Sequence, residues 1–149
     1  MLLKETHGAI SVKDMDKSLA FYRDLLGMKV RRDSGPGPRP PDPFMDKLFG
    51  LSGVSLHRVV QLETGDAYVL ELIQWHAPTP RPFPTEMRPC DLGFRSQCFY
   101  DTDSDSLYQR LKTAGVRFIS EPVDAGRWKS VFVLDPDGNW IEIRPAPKP

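Results

Sequence analysis

One strand pattern occurs twice in this chain, and the repeat constrains the fold more than any other feature. Glutamate stands between apolar residues in Leu70-Glu71-Leu72 and again in Ile141-Glu142-Ile143. The helical patterns repeat as well, because Ser18–Gly27 and Ser106–Gly115 have the same interval from serine to glycine. Each helical pattern follows a strand and an acidic segment. The sequence therefore predicts a tandem pair of β-α-β-β-β modules.

Two intervals can be used to align the modules, and they differ by one residue. Counted from the acidic residues Asp14 and Asp103, the counterpart of His7 is Ser96. Counted from the helical patterns, the counterpart is Arg95. The interval from strand to acidic segment is the closer guide, so Ser96 is preferred.

Length and composition indicate one ordinary globular domain spanning 1–149. Lys plus Arg and Asp plus Glu number 20 each, so no charge excess favours nucleic acid or a membrane surface. No apolar run approaches the roughly 20 residues of a membrane span, and residues 1–5 are too short and polar for a signal peptide. We expect a cytoplasmic protein in which Cys90 and Cys98 are reduced thiols, with Cys98 buried in a strand.

Module 1 is predicted at about 5–76, a linker at 77–91 and module 2 at about 92–145. In module 1 we expect a strand at Thr6–Lys13, a helix at Lys17–Leu26 capped by Asp16, a strand at Met28–Arg32, and a hairpin of Ser55–Leu62 and Tyr68–Gln74 around Glu63–Asp66. In module 2 we expect strands at Gly93–Tyr100, Arg117–Ile119, Val131–Leu134 and Asn139–Arg144, with a helix at Asp105–Ala114. Asp135–Gly138 supplies the last turn, and Ala146–Pro149 is expected to be a disordered tail.

Module 1 carries an insertion that module 2 lacks. Asp33–Pro43 is rich in proline and glycine, so it is expected to be a loop, and Phe44–Phe49 is expected to form a short helical turn. The insertion is either a lid over a pocket or a tolerated surface excursion. The second interpretation is favoured, since most loops are not lids.

Alternation along the strands puts the two glutamates on faces opposite the apolar core positions. On this basis Glu142 shares a face with Trp140, and Glu71 shares a face with Trp75. The tryptophans then either wall an aromatic pocket or pack in the core. A strand glutamate by itself is most often solvent-exposed, so the repeat is what makes this pair notable.

Three segments together resemble the vicinal oxygen chelate superfamily: HGAISVKDMDKSLAFYRDLLG, VLELIQW and LDPDGNWIEIRP. This superfamily includes glyoxalase I, methylmalonyl-CoA epimerase, extradiol dioxygenases, and fosfomycin- and bleomycin-resistance proteins. The resemblance implies an α+β fold of tandem βαβββ modules that form an open eight-stranded cup. It also implies a homodimer that acts on a small-molecule substrate or ligand.

The resemblance further implies a divalent metal held by residues of the first and last strands of each module. His7, Glu71 and Glu142 match three ligand positions, and Ser96 stands where the metal enzymes carry a histidine. One imidazole and two carboxylates suit Mn, Fe, Ni, Zn or Mg. The neighbouring substrate-pocket residues are expected to be Ser96, Trp75, Trp140, Ser11 and Cys98.

Three interpretations of this site remain open. A metal can be held by His7 and the two glutamates, with water in the remaining positions. Alternatively, Glu71 and Glu142 can act as a metal-free acid and base, because two carboxyl groups in one cavity separate their pKa values. Thirdly, the residues can be relics that line a binding cup. His57 and His76 are weaker substitutes for the missing histidine.

The leading functional hypothesis is a glyoxalase/epimerase-type lyase or isomerase. In it, Glu142 and Glu71 exchange a proton with a carbonyl substrate through a stabilised enolate. The alternative from another class is a non-enzymatic protein that binds an antibiotic or metabolite in a degenerate metal site. An extradiol dioxygenase is the weaker alternative, because Ser96 removes one of the two histidines that its iron needs.

Overall fold

The computed structural model describes residues 7–82, 90–91, 93–94, 96–124, 126 and 129–147. The chain divides into two compact units, Met1–Pro82 and Phe83–Pro149, and each contains a four-stranded mixed sheet. The predicted α+β class and the tandem βαβββ order are confirmed. Residues 83–89 of the predicted linker, the alternative counterpart Arg95 and the last two residues of the predicted tail lie outside the described residues.

In the first unit the strand order is β1-β4-β3-β2, with β1 and β4 parallel and the other pairs antiparallel. Its elements are β1 (Gly8–Val12), α1 (Met15–Leu19) continued by a π-helical segment (Ala20–Leu25), β2 (Lys29–Asp33), α2 (Pro43–Phe49), β3 (Ser55–Glu63) and β4 (Val69–Ala77).

The second unit repeats this arrangement with the order β5-β8-β7-β6, and β5 and β8 are its parallel pair. Its elements are β5 (Ser96–Asp101), α3 (Ser104–Thr113), β6 (Val123–Asp124), β7 (Lys129–Leu134) and β8 (Trp140–Pro145).

Each sheet buries one face, and the buried side chains alternate with the two glutamates. In β4 the residues flanking Glu71, Leu70 and Leu72, are fully buried. In β8 Ile141 is fully buried and Ile143 nearly so, on either side of Glu142. Helix α1 packs on β4 and α3 packs on β5 and β8. Alternation along a strand therefore directs both glutamates away from the apolar core.

The first helix begins two residues earlier than predicted. Its cap is Asp14, whose carboxylate accepts hydrogen bonds from the backbone N–H groups of Asp16 and Lys17, each at 3.1 Å. Asp16 was the wrong choice of cap, since it lies inside the first turn and pairs instead with Arg58 at 3.1 Å. In the second unit Asp103 caps α3 in the equivalent way.

The π-helical segment Ala20–Leu25 accounts for the one-residue disagreement between the two alignments of the modules. A π-helical turn holds one more residue than an α-helical turn. The interval from the capping aspartate to the left-handed glycine that follows the helix, Gly27 or Gly115, is accordingly one residue longer in the first unit.

The predicted strand Arg117–Ile119 is wrong as a regular strand. Phe118 forms only an isolated bridge with Val133, and the short strand β6 follows at Val123–Asp124. Pro122 stands between the two pieces, and proline removes a backbone donor, so the pairing with β7 is interrupted.

Arg58 joins three elements of the first unit through its guanidinium group. It donates to both carboxylate oxygens of Asp33, at 3.0 and 2.6 Å, and to Asp16 at 3.1 Å. The hydrogen bond from Arg58 holds the pKa of Asp33 below its ordinary value. A carboxyl group with a depressed pKa in the folded state stabilises the protein above its unfolded pKa. That stability is lost as the pH falls through the folded value.

We expect Arg58→Met to lower the free energy of unfolding by about 1–2 kcal/mol near pH 7, with the difference shrinking below about pH 4. Urea unfolding of both proteins between pH 2.5 and 7 measures this. Arg23→Met is the matched control, because the Arg23–Asp24 pair is exposed and contributes little. If the loss of free energy of unfolding in Arg58→Met does not depend on pH, the effect comes from packing alone.

None of the helices in the described part of the chain is long and apolar enough to cross a membrane.

Candidate functional site

Glu71 and Glu142 occupy equivalent positions in the two units. In the parallel pair of the first unit, Ala9 lies opposite Glu71, and in that of the second unit, Cys98 lies opposite Glu142. His7 comes two residues before Ala9, and Ser96 comes two residues before Cys98. By strand register, Ser96 is therefore the positional counterpart of His7.

In the first unit a neighbouring strand holds the Glu71 carboxylate. Gln61 lies opposite Glu71 in β3, and its Nε2 donates to Oε2 of Glu71 at 2.8 Å. His7 is exposed and immediately precedes β1, where alternation puts it on the Glu71 face, one row along. An imidazole and an oriented carboxylate thus lie on neighbouring rows of one sheet face.

The same sheet face carries a small-residue surface beside two aromatic rings. Ala9 and Ser11 are exposed, and the indole Nε1 of Trp75 donates to Oγ of Ser11 at 2.9 Å. The ring of Phe49, at the end of α2, meets Trp75 edge to face, with 5.3 Å between ring centroids. The insertion therefore contacts the face that carries Glu71.

In the second unit Glu142 has a hydroxyl and a cation as neighbours. Ser130 Oγ donates to Oε1 of Glu142 at 2.6 Å, and Nε of Arg144 lies 3.9 Å from the same oxygen. Both charged side chains are about one-fifth exposed, so the ion pair is partly shielded from water. Trp140 packs against Phe132, with ring centroids 5.6 Å apart.

The prediction that Cys98 is buried is wrong. The residue is exposed, because alternation along β5 puts it on the Glu142 face and not on the face that α3 covers. Its thiol nevertheless lies against the carboxylate of Glu142. Partial desolvation of the thiol, with the charge and hydrogen bonding of Glu142, raises the pKa of Cys98 to about 11. Cys98 is therefore a neutral thiol near pH 7. Cys90, the other cysteine, is also free and exposed.

The donor set fits a divalent metal at three of the four expected positions. The imidazole of His7 and the carboxylates of Glu71 and Glu142 are ligand types that Mn²⁺, Fe²⁺, Ni²⁺ and Zn²⁺ accept, whereas the neutral hydroxyl of Ser96 is a poor one. Each unit contributes only part of such a set. No group of three or more ligand side chains is found among the described residues.

The other two histidines do not extend this set. His57 and His76 both lie at irregularities in the pairing of β3 with β4, outside the regular rows that carry Glu71 and its neighbours.

Four neighbours of the site were not among the predicted site residues: Gln61, Ser130, Arg144 and Phe49. Alternation from the sequence does put Arg144 on the face of Glu142, two positions further along the strand, but no role was predicted for it. The others come from a paired strand or from the insertion, and their contacts depend on strand register and on tertiary packing.

Relatives of the chain are similar over almost its whole length. A lactoylglutathione lyase of Pseudomonas aeruginosa is 29% identical over 148 residues, which cover 92% of this chain and 79% of that protein. A lactoylglutathione lyase of Schizosaccharomyces pombe is 27% identical, and the match covers 94% of this chain but only 46% of that protein.

Solved structures share the fold. A glyoxalase family protein from Bacillus cereus superposes with a TM-score of 0.84 at 18% identity, over 97% of this chain and 95% of that one. The trypanothione-dependent glyoxalase I of Leishmania major has a TM-score of 0.66 at 27% identity, over 97% and 87% of the two chains. The fold is thus glyoxalase-like. A family model matches residues 6–143, and the chain belongs to the Glyoxalase/Bleomycin resistance protein/Dioxygenase superfamily.

Proposed function

We propose that this protein is a glyoxalase/epimerase-type enzyme, a metal-assisted lyase or isomerase that acts on a small carbonyl-containing substrate. The observation that carries the proposal is the register equivalence of Glu71 and Glu142, each directed away from the core and each hydrogen-bonded by a neighbouring strand. Two oriented carboxylates can serve as the base and the acid when a proton beside a carbonyl is removed and returned.

The proposed ligands are His7, Glu71 and Glu142, with water at the position of Ser96. Ligands from one chain and ligands shared between two copies in a homodimer both satisfy this assignment. When bound, a divalent ion would polarise the substrate carbonyl and offset the charge that develops on its oxygen.

The remaining chemistry is assigned to side chains of the protein. Glu142 takes the proton from the carbon next to the carbonyl, through Oε2, because Ser130 is bonded to Oε1. The proton that Glu142 has taken passes through water to Glu71, which delivers it to the adjacent atom, so both carboxylates are ionised again at the end of the step. Gln61 keeps the Glu71 carboxylate oriented. The proposed substrate pocket consists of Ser11, Trp75, Ser96, Cys98 and Trp140.

Metal content tests the proposal first. After incubation with Mn²⁺, Fe²⁺, Ni²⁺, Zn²⁺ or Mg²⁺ and removal of free ion, we expect about one transition metal per chain in the wild type and little in Glu142→Ala. Loss of a carboxylate that would contact the metal removes both a charge and a ligand. Elemental analysis of the two proteins measures this, and equal loading of the two would exclude Glu142 as a ligand.

The reaction is tested with the loaded wild-type protein. Small 2-oxoaldehydes are offered with and without glutathione, and NMR in D₂O follows exchange at the carbon next to the carbonyl. Exchange that requires the metal supports an enolate mechanism. If no ion binds and no proton exchanges, the metal-assisted reaction is excluded.

One observation favours the binding-protein alternative. Arg144 Nε lies 3.9 Å from Glu142 Oε1, and its positive charge partly offsets that of the carboxylate. A bound metal would otherwise offset this charge. A metal-free protein that binds an antibiotic or metabolite fits this arrangement together with Ser96. The metal measurement separates the two functions, since only the enzyme requires a bound ion.

A further inference from the structure

We propose that the insertion determines substrate specificity, and that Phe49 with Trp75 forms an apolar wall beside Glu71 for an aromatic or branched alkyl group of the substrate. This inference rests on the proposed function and specifies its substrate class. It concerns side chains of the first unit only.

The smallest side chains of β1 form the floor of this subsite. Ala9 lies opposite Glu71, and Ser11 lies opposite Ile73, the next row on the same face. Both residues of β1 are exposed. The methyl group of Ala9 and the hydroxymethyl group of Ser11 rise little above the sheet, and the half-buried side chain of Ile73 makes the row after Glu71 apolar.

The wall rises at the edge of this floor. Trp75 comes two rows after Glu71 along β4, but its indole N–H reaches back to Ser11 Oγ at 2.9 Å. The indole is therefore drawn towards the row next to Glu71. Phe49 packs edge to face on this indole, with centroids 5.3 Å apart, while 43% of the residue stays exposed.

Helix α2 is held in place by polar contacts and not by burial of its apolar side chains. Asp42 caps its first turn, accepting from the backbone N–H of Phe44 at 2.8 Å. Asp46 accepts from the backbone N–H groups of Gly53 and Val54 at 2.9 and 2.6 Å. No residue of α2 is buried. The backbone contacts therefore fix the position of Phe49 without covering its ring.

The dimensions of the floor favour a small-molecule group as the occupant. Neighbouring rows on one face of a strand are roughly 7 Å apart, at about 3.3 Å per residue. A single ring or a branched alkyl chain fits, and aromatic rings stack favourably on Phe and Trp.

Two chelating probes with the same metal-binding group test the inference. Acetohydroxamate and phenylacetohydroxamate are titrated calorimetrically into Mn²⁺-loaded wild type, Phe49→Ala and Phe44→Ala. We expect phenylacetohydroxamate to bind the wild type about tenfold more tightly than acetohydroxamate does. Phe49→Ala should reduce this difference in affinity about fivefold. Phe44→Ala is the matched control, the same change on the same helix at a residue that is 67% exposed.

The outcomes separate this inference from the proposed function. The inference is overturned if the two compounds bind the wild type equally tightly, or if Phe49→Ala and Phe44→Ala lose the tighter binding of phenylacetohydroxamate to the same extent. Either result leaves the proposed function standing. If neither compound binds the loaded wild type, the metal-assisted function and the inference both fail. If Phe49→Ala does not fold, Phe49→Leu replaces it, and an unchanged difference in affinity between the two compounds in that variant counts against stacking on Phe49.

Discussion

Glu142→Gln is expected to lower kcat/KM about 10³-fold for the carbonyl substrate that the proton-exchange screen identifies, because the amide cannot take a proton. The loss should fall on kcat, since proton removal occurs in the transition state and not in the substrate complex. Glutamine keeps the size of the side chain and an oxygen that can accept from Ser130 Oγ, now 2.6 Å from Glu142. Steady-state kinetics at saturating metal measures the effect.

Glu121→Gln is the control for this variant. Glu121 belongs to the same unit and pairs with Lys112 at 3.6 Å, but it is well exposed and lies outside the paired strands that carry the site. Its replacement should leave kcat/KM within about twofold, the behaviour of most surface changes. A kcat that Glu142→Gln leaves unchanged would remove this residue as the base.

The repeat was sufficient to predict the tandem order of the elements because it reports two independent constraints at once. An apolar-Glu-apolar triplet requires a strand with one buried and one open face, and its recurrence requires two such strands in equivalent places. The structure places Glu71 and Glu142 opposite Ala9 and Cys98 in matching parallel pairs. Both glutamates are accordingly flanked by buried residues of their own triplets.

The hairpin of the first unit shows where sequence patterns become insufficient. The turn was predicted at Glu63–Asp66, but Glu63 still pairs with Val69 as the last pair of the ladder. The register of a hairpin depends on where its turn lies as well as on its length, so a turn shifted by one residue changes every partner along the strand. The pairing of Gln61 with Glu71 follows from this register and could not be read from the residues alone.

The contact between Phe49 and Trp75 was unpredictable for a different reason. The insertion has no periodicity that specifies where α2 lies, and its position is set by the bonds from Asp46 to the backbone of Gly53 and Val54. The sequence left two options open, a lid or a surface excursion. The ring contact favours a role beside the site for at least the last residue of α2.

Asp135→Ala is expected to lower the free energy of unfolding by about 2–4 kcal/mol. Asp135 is only 5% exposed and directly follows β7, at the turn that leads into β8. Its carboxylate accepts from the backbone N–H of Asp137 at 2.9 Å, and from the backbone N–H and Nδ2 of Asn139, each at 2.8 Å. Alanine would leave these three donors without the carboxylate, in a turn that sets the register of Glu142. Urea unfolding at pH 7 measures the difference.

Two further variants distinguish the loss of these bonds from a general effect of changing a turn. Asp135→Asn keeps one carbonyl oxygen for the two backbone donors, so it should cost less than alanine. Asp66→Ala removes the carboxylate of the other hairpin turn, where the residue is exposed and bonds Thr64 Oγ1 and, at 3.4 Å, the backbone N–H of Tyr68. We expect it to cost less than about 1 kcal/mol, since water can replace those bonds. Equal costs for the two alanine variants would mean that burial of Asp135 contributes nothing, and that the turn does not hold β8 in register.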